Sequence, residues 1–244
     1  MEEFDNATHA APPSEDRSAA TAPPTLAEEL LLLLLQPDNG SIAGEGTLYY
    51  VLAGAVLTEL GFSGHIRSSD VQDVHRVEAV SSNSPTEHLL RAGWEYLSDR
   101  PRDVQDFLAA IGPSLRQPLL DRLADRGDIR RVTKKVLGLF ETTALEIVDN
   151  SRRDRLLAGV RAVLVDGTPQ TPRITALAAL LYGSGTLPQF DRDIPWTSAV
   201  ISRAEELKAG DWGAGAAADA VARTFTATIV NSIIIAAASL PRSH

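Results

Sequence analysis

Residues 25–62 form the most densely apolar stretch of the chain, and they constrain its fold more than any other segment. Thr25 precedes Glu28 by three positions, which is the spacing of a helix capping box, and six consecutive leucines follow at 30–35. A helix that is apolar on all sides is buried, and six leucines are far fewer than the roughly 20 residues that span a bilayer. The stretch therefore predicts two core helices joined by a Pro-Asp-Asn-Gly turn at 37–40.

The rest of the chain shows mostly helical periodicity, with two short interruptions of strand type. The second core helix is predicted at about 47–60, and further helices are predicted at about 87–97, 104–111, 115–125, 150–164, 172–183, 196–208 and 213–240. A short antiparallel strand pair is predicted at 65–67 and 74–80, and a β-hairpin at 129–140 with a basic, polar tip around Thr133 to Lys135. The expected fold is mainly α. Residues 1–24 are rich in Ala, Pro, Ser and acids and are predicted as a disordered tail, followed by a single domain at 25–240.

The helix predicted at 213–240 is the one segment whose length invites comparison with a transmembrane span. Its polar content argues against that assignment, because Arg223, Asn231 and five serine or threonine residues interrupt the apolar pattern. We therefore predict a buried core helix.

The amino-acid composition and the absence of known motifs argue against several kinds of catalytic and metal-binding site. The chain has no cysteine, which excludes disulfides and cysteine-ligated metals, and its five histidines are scattered without ligand spacing. Nucleophile-elbow and Walker signatures are absent, and the Gly-Ala-Gly run at 213–215 lacks the preceding strand of a dinucleotide site. We expect no enzymatic activity, no metal and no cofactor. The acidic N-terminus without an apolar core indicates no secretory signal, so we expect a cytoplasmic protein.

Charge is distributed unevenly along the chain. The net charge is −9, yet residues 116–173 hold twelve of the 23 basic residues and eight acids, so this segment is +4 and the remainder −13. One explanation is that these charged residues simply lie on helix faces exposed to solvent and bind no partner. The sharper hypothesis is a local basic surface that meets an anionic partner.

The basic residues of the predicted hairpin are candidates for this surface. Arg130, Arg131, Lys134 and Lys135 lie together in it, and each basic side chain near an anionic membrane contributes about 1 kcal/mol. Four such residues suffice for reversible, salt-sensitive attachment without insertion. An acidic protein partner would meet the same charges. Nucleic acid is not expected, because none of the thirteen aromatic residues is interleaved with the basic residues of the hairpin.

Several segments, in order along the chain, resemble the Golgi phosphoprotein 3 family, including its bacterial members. They are LAEELLLL at 26–33, LAGAVLTEL at 52–60, LLDRL at 119–123 leading to Arg126-Gly127, VLGLF at 136–140, and the helix pair around 155–164 and 175–181. The resemblance spans residues 25–240. It implies a helical bundle core wrapped by amphipathic helices, with a projecting β-hairpin and a short strand pair.

The resemblance also implies a function. Eukaryotic members are peripheral membrane adaptors that bind phosphatidylinositol 4-phosphate and the cytosolic tails of glycosyltransferases, and in the family the hairpin takes part in membrane contact and self-association. Their headgroup pocket uses one tryptophan and three arginines, whose positions fall here near Gly44 and on Ala53, Pro113 and Arg116. Only Arg116 is retained. A multiply charged phosphate needs several convergent donors, so specific binding of this lipid by that pocket is not expected.

Together these observations predict a peripheral membrane adaptor on the cytoplasmic face of a membrane. Its expected partners are anionic lipid headgroups, cytosolic tails of membrane proteins and further copies of the chain. The expected lipid-binding residues are Arg116, Arg130, Arg131, Lys134 and Lys135. The alternative is a soluble protein–protein interaction module that binds no lipid.

Overall fold

The computed structural model describes residues 22–71, 74–136, 140–210 and 217–239, without the side chains of 69–71, 74–75, 134–136, 140–142 and 217–225. The helices are α1 (Leu26–Leu34), α2 (Leu48–Phe62), α3 (His88–Ser98), α4 (Val104–Ile111), α5 (Arg116–Asp125), α6 (Ser151–Leu164), α7 (Pro172–Gly183), α8 (Ser198–Lys208) and α9 (Ala217–Ala238). The strands are β1 (Ile66–Val71), β2 (Val74–Ala79), β3 (Arg102–Asp103), β4 (Ile129–Val136) and β5 (Phe140–Ile147). Short 3-10 turns cover Gly112–Ser114 and Leu187–Phe190.

Helix α1 lies at the centre of the bundle. It packs against α2, α5, α6 and α7, so neighbouring helices cover it on all sides. The six leucines at 30–35 are each at most 1% exposed. This arrangement explains why the sequence of α1 has no polar face, and it confirms the predicted core helix.

The first turn of α1 is held by the predicted capping box. The backbone N–H of Thr25 donates to a carboxylate oxygen of Glu28 at 2.7 Å, and the N–H of Glu28 donates to the hydroxyl of Thr25 at 3.2 Å. These bonds satisfy amide groups that have no partner inside the helix. The start of α1 is therefore encoded locally.

Helices α2 and α9 approach each other closely because Gly54 has no side chain. A Cβ atom on Gly54 would lie 2.7 Å from Cδ1 of Ile233 and 2.9 Å from Cγ2 of Ile229. Both isoleucines are fully buried, which supports the prediction of a core helix in this region. Across the described residues, no helix is both long and apolar enough to cross a membrane.

Two small antiparallel sheets complete a mainly α fold, as predicted. Strands β1 and β2 form the predicted pair, and β3 adds two residues that pair with Arg76 and Val77. Strands β4 and β5 form the hairpin, which contacts the bundle at its base through α5. Residues 1–21 lie outside the described part of the chain, so the disordered tail and the domain boundary at residue 25 remain predictions.

Candidate functional site

The hairpin carries its basic residues along a strand and not at its turn. Strand β4 extends to Val136, which pairs with Phe140, and residues 137–139, with the sequence Leu-Gly-Leu, connect the strands. The predicted basic and polar tip around Thr133 to Lys135 is therefore wrong. Valine and phenylalanine favour strands, and each further pair adds to the backbone ladder, so pairing continues past the lysines.

Strand geometry divides the basic positions between two faces of the hairpin. Successive residues of a strand point to opposite sides, so positions 130 and 134 belong to one face and positions 131 and 135 to the other. The side chains of Lys134 and Lys135 lie outside the described residues. The four basic positions thus do not form one continuous surface.

Both arginines of the hairpin are paired with carboxylates. Nη2 of Arg130 lies 2.9 Å from Oε2 of Glu146, its partner across the ladder. Nη2 of Arg131 lies 2.6 Å from Oδ1 of Asp121 on α5, so this pair ties the base of the hairpin to the bundle. Their charges are therefore partly neutralised within the protein.

The remaining predicted residue, Arg116, begins α5 and pairs with a residue outside the hairpin. Its Nε atom lies 2.9 Å from Oε1 of Glu45, and the two side chains are 46% and 55% exposed. This pair borders a cleft of about 290 Å³. The cleft is lined by Glu45, Leu48, Tyr49, Gly112, Pro113 and Arg116.

A close contact between α2 and the turn before α5 fixes the shape of this cleft. A Cβ atom on Gly112 would lie 2.4 Å from the carbonyl oxygen of Tyr49, so only glycine permits this approach. The ring of Tyr49 lies 4.0 Å from that of Tyr50 between centroids. The hydrogen bond with Tyr50, followed by burial, raises the pKa of Tyr49 to about 12.

The four positions of the family's headgroup pocket do not all converge here. Pro113 and Arg116 line the cleft, whereas Ala53 is fully buried in α2. Sequence reasoning missed Glu45, which supplies a negative charge beside the single retained arginine. The sequence feature that could have identified Glu45 is its position next to Gly44, near which the resemblance places the tryptophan of the pocket.

A second cluster of charges lies inside the bundle. Glu28 is fully buried, and Arg122 of α5 and Arg126, the residue that follows α5, donate to its carboxylate at 3.2 and 2.6 Å. Burial alone raises the pKa of Glu28, but the hydrogen bonds from Thr25 and Arg126 and the charge of Arg122 outweigh it and lower the pKa. This carboxylate remains charged at neutral pH and joins α1 to α5.

Comparison with known proteins identifies the fold just described. A model of the Golgi phosphoprotein 3 (GPP34) family matches residues 26–224. The chain belongs to the Golgi phosphoprotein 3 family. The match includes α1, the hairpin and every residue that lines the cleft, so the resemblance seen in the sequence is confirmed over that range. No individual curated protein matches the chain.

Proposed function

We propose that this Golgi phosphoprotein 3 family member is a non-enzymatic peripheral membrane adaptor, which attaches to anionic lipid through the far end of its hairpin. We also propose that the protein lies on the cytoplasmic face of the membrane and that it binds the cytosolic tails of membrane proteins as cargo. The observation that carries it is that strand β4 continues past the two lysine positions to Val136, after which the sequence reads Leu-Gly-Leu up to the start of β5.

The length of the hairpin supports contact at its end. Ile129 lies at its base and is 2% exposed, and the last ladder pair is Val136 with Phe140. At about 3.4 Å per residue, that pair lies roughly 24 Å from the base. A membrane can therefore approach this end while the helical bundle stays in water.

The residues at this end combine apolar and basic groups. Apolar side chains enter the boundary between headgroups and acyl chains, with about 0.8 kcal/mol for each CH₂ that is buried. Each lysine beside an anionic surface adds about 1 kcal/mol. We therefore assign the principal contact to residues 134–140, and give Arg116, Arg130 and Arg131 a smaller part, because each is paired with a carboxylate.

Vesicle co-sedimentation tests the proposal. We expect wild-type protein to bind phosphatidylcholine vesicles that contain phosphatidylserine and to dissociate as salt is raised. The change Lys134→Glu with Lys135→Glu is expected to weaken binding at least about thirtyfold, which corresponds to about 2 kcal/mol. The change Leu137→Ser with Leu139→Ser is expected to weaken binding at low salt, although it leaves the charge unchanged.

The matched control is Arg67→Glu with Arg100→Glu. It makes the same change in charge on exposed residues, one in β1 and one in the turn before β3, away from the hairpin. We expect it to bind as wild type does. The membrane proposal fails if wild-type protein does not sediment, or if the control weakens binding as much as the hairpin variants do.

A soluble interaction module is the second candidate. It is favoured by the ion pairs of Arg116, Arg130 and Arg131, whose partners lie within 2.9 Å and reduce the charge available to lipid. The same experiment separates the two, because this candidate requires that no variant sediments with any vesicle.

A further inference from the structure

We propose that residues 240–242, with the sequence Leu-Pro-Arg, dock in an apolar groove between α7 and α9 and cover the ring of Trp196. The groove, which we name the tryptophan groove, has a volume of about 340 Å³. Its described lining is mostly apolar and includes Tyr182, Leu187, Pro188, Trp196, Ile234 and Ala237. The contact is within one chain, so it requires neither lipid nor a partner protein.

The tryptophan groove lies where α7 ends against α9. A Cβ atom on Gly183, the last residue of α7, would lie 3.0 Å from Cγ1 of Val230, so the two helices approach closely at this point. Ile234 and Ala237, about one and two turns further along α9, line the groove. Trp196 is 39% exposed although it borders this apolar surface, and such exposure is typical of a docking site.

Helix α9 ends beside the tryptophan groove. Val230, Ile234 and Ala237 are spaced by four and three positions, so they share one face of the helix. The helix ends at Ala238, and Ser239 is the last described residue. Three further residues span at most about 11 Å when extended. Because Ala237 lies only three positions before residue 240, the groove lies within their reach.

Pro241 directs the segment away from the axis of α9. Proline lacks the N–H that a helix needs, and it disfavours helical geometry at Leu240, the residue before it. These two apolar residues are therefore expected to leave the helix in an extended conformation. Aromatic-lined grooves bind extended proline segments in several families of peptide-binding domains, and Tyr182 and Trp196 supply two such rings.

A carboxylate beside the groove matches the charge of Arg242. Oδ1 of Asp191 accepts a hydrogen bond from the backbone N–H of Trp196 at 2.7 Å, so this carboxylate lies next to the groove lining. The neighbouring Arg192 lies 3.9 Å from Asp193, a separate carboxylate. Arg242 can therefore donate to Asp191 while the two preceding residues occupy the groove.

Charge also argues against the other end of the chain as the occupant. Residues 1–21 contain five acids and one arginine, so the carboxylate of Asp191 would repel them. Residues 240–242 are in addition attached to a helix that lines the groove. Their effective concentration there is high, and little loop entropy is lost on docking. A segment of three residues can therefore bind.

A double-mutant cycle in the full-length protein tests the contact. Leu240→Ser is expected to lower the midpoint of thermal unfolding by about 2–4 °C, because the groove loses its apolar occupant, and to have no effect in a Trp196→Ala background. Ser243→Ala is the matched control in the same part of the chain and is expected to leave the midpoint unchanged. Equal effects of Leu240→Ser in both backgrounds, or no effect in the wild type, would overturn the proposal.

Amide spectra of ¹⁵N-labelled full-length protein give a second readout that leaves the groove itself unchanged. Leu240→Ser and Arg242→Glu are each expected to shift the indole N–H of Trp196 and the amides of residues 182–188. Arg242→Lys keeps the charge and is expected to leave these signals near their wild-type positions. Shifts confined to residues 236–244 would overturn the docking.

A peptide added in trans tests whether the groove recognises this sequence. The peptide Ser-Leu-Pro-Arg-Ser-His, at millimolar concentration, is expected to reverse these shifts saturably in the double variant Leu240→Ser with Arg242→Glu. In the wild type the attached segment competes, so the apparent affinity is expected to be at least about tenfold weaker. Equal affinity for both proteins would show that the groove is open in the wild type, which contradicts the proposal.

A mixed sample distinguishes the chain's own segment from that of a second copy. The chain has no cysteine, so Ser243→Cys provides a single site for a nitroxide spin label. When spin-labelled protein without ¹⁵N is mixed with ¹⁵N-labelled wild type, we expect no broadening at residues 182–188. Broadening there would show that a second copy occupies the groove and would overturn the contact within one chain.

Discussion

The Nε atom of Arg126 lies 2.6 Å from Oε1 of Glu28, although the two residues are 98 positions apart in sequence. Glu28 is fully buried, and the side chain of Arg126 is 9% exposed. Nη2 of Arg122 approaches the other carboxylate oxygen at 3.2 Å, and the N–H of Thr25 donates to it at 2.7 Å. The start of the central helix is therefore fixed to α5 by a buried charge network.

We expect Glu28→Gln to destabilise the fold by about 3–5 kcal/mol, because it removes a fully buried carboxylate to which two mostly buried guanidinium groups donate, although Arg122 keeps its ion pair with Glu87. Urea unfolding followed by circular dichroism measures this loss. Glu45→Gln removes an exposed carboxylate from an ion pair and is expected to cost at most about 1 kcal/mol. Equal losses in the two variants would show that burial of the network is unimportant.

We expect the carboxylate of Glu28 to make the stability of the fold depend on pH. The pKa of Glu28 in the folded protein is below its ordinary value of 4.5, so its contribution is fully present above pH 4.5 and is lost as the pH falls through the folded pKa. Glu29 acts in the opposite direction, because burial raises its pKa despite the charge of Arg173. We therefore compare variants: the difference in urea midpoint between wild type and Glu28→Gln is expected to narrow below pH 4.5. A constant difference contradicts the prediction.

Arg153 is expected to stabilise the C-terminal end of α1. It is 6% exposed, and its guanidinium donates to the carbonyl oxygens of Leu35 and Leu33 at 3.1 and 3.3 Å. These carbonyls have no partner within the helix. Arg153→Met leaves them buried and unsatisfied, with an expected loss of about 1–3 kcal/mol each in the absence of water. Thermal unfolding measures the loss, and a variant as stable as wild type would contradict the assigned role.

Gly112→Ala is expected to destabilise the protein and deform the cleft. The added Cβ would lie 2.4 Å from a backbone oxygen of Tyr49, which cannot move aside as a flexible side chain can, so we expect a loss of about 1–3 kcal/mol. The matched control is Gly46→Ala, since a Cβ at Gly46 meets no atom within 4 Å. Unfolding midpoints and the amide shifts of Tyr49 report the two effects, and similar behaviour of both variants would contradict the prediction.

Local patterns in the sequence predicted the elements well. The capping box of Thr25 and Glu28 requires only neighbouring residues, and the apolar helix that follows it was predicted from six leucines. The end of the hairpin was misplaced because Lys134 and Lys135 suggested a polar turn. The ladder instead extends to Val136 and Phe140, because valine and phenylalanine favour strands.

Long-range pairing accounts for what could not be predicted at the candidate site. Arg116 was identified through the family resemblance, but its partner Glu45 lies 71 positions earlier in the chain. Arg131 likewise pairs with Asp121 only because the hairpin folds back against α5. The sequence shows how many basic residues a segment contains. The tertiary structure determines how many of those residues are paired with carboxylates.

The close approach of Gly54 to Ile233 also has a consequence during synthesis. Ribosomes add about 5–20 residues per second, so α9 emerges roughly 10 to 40 seconds after the segment on which it packs. Until then, the face of α2 around Gly54 lacks Ile229 and Ile233, which pack on it in the folded protein. A nascent chain of this protein therefore carries an uncovered apolar surface for most of its translation, and a premature stop before residue 217 would leave that surface uncovered permanently.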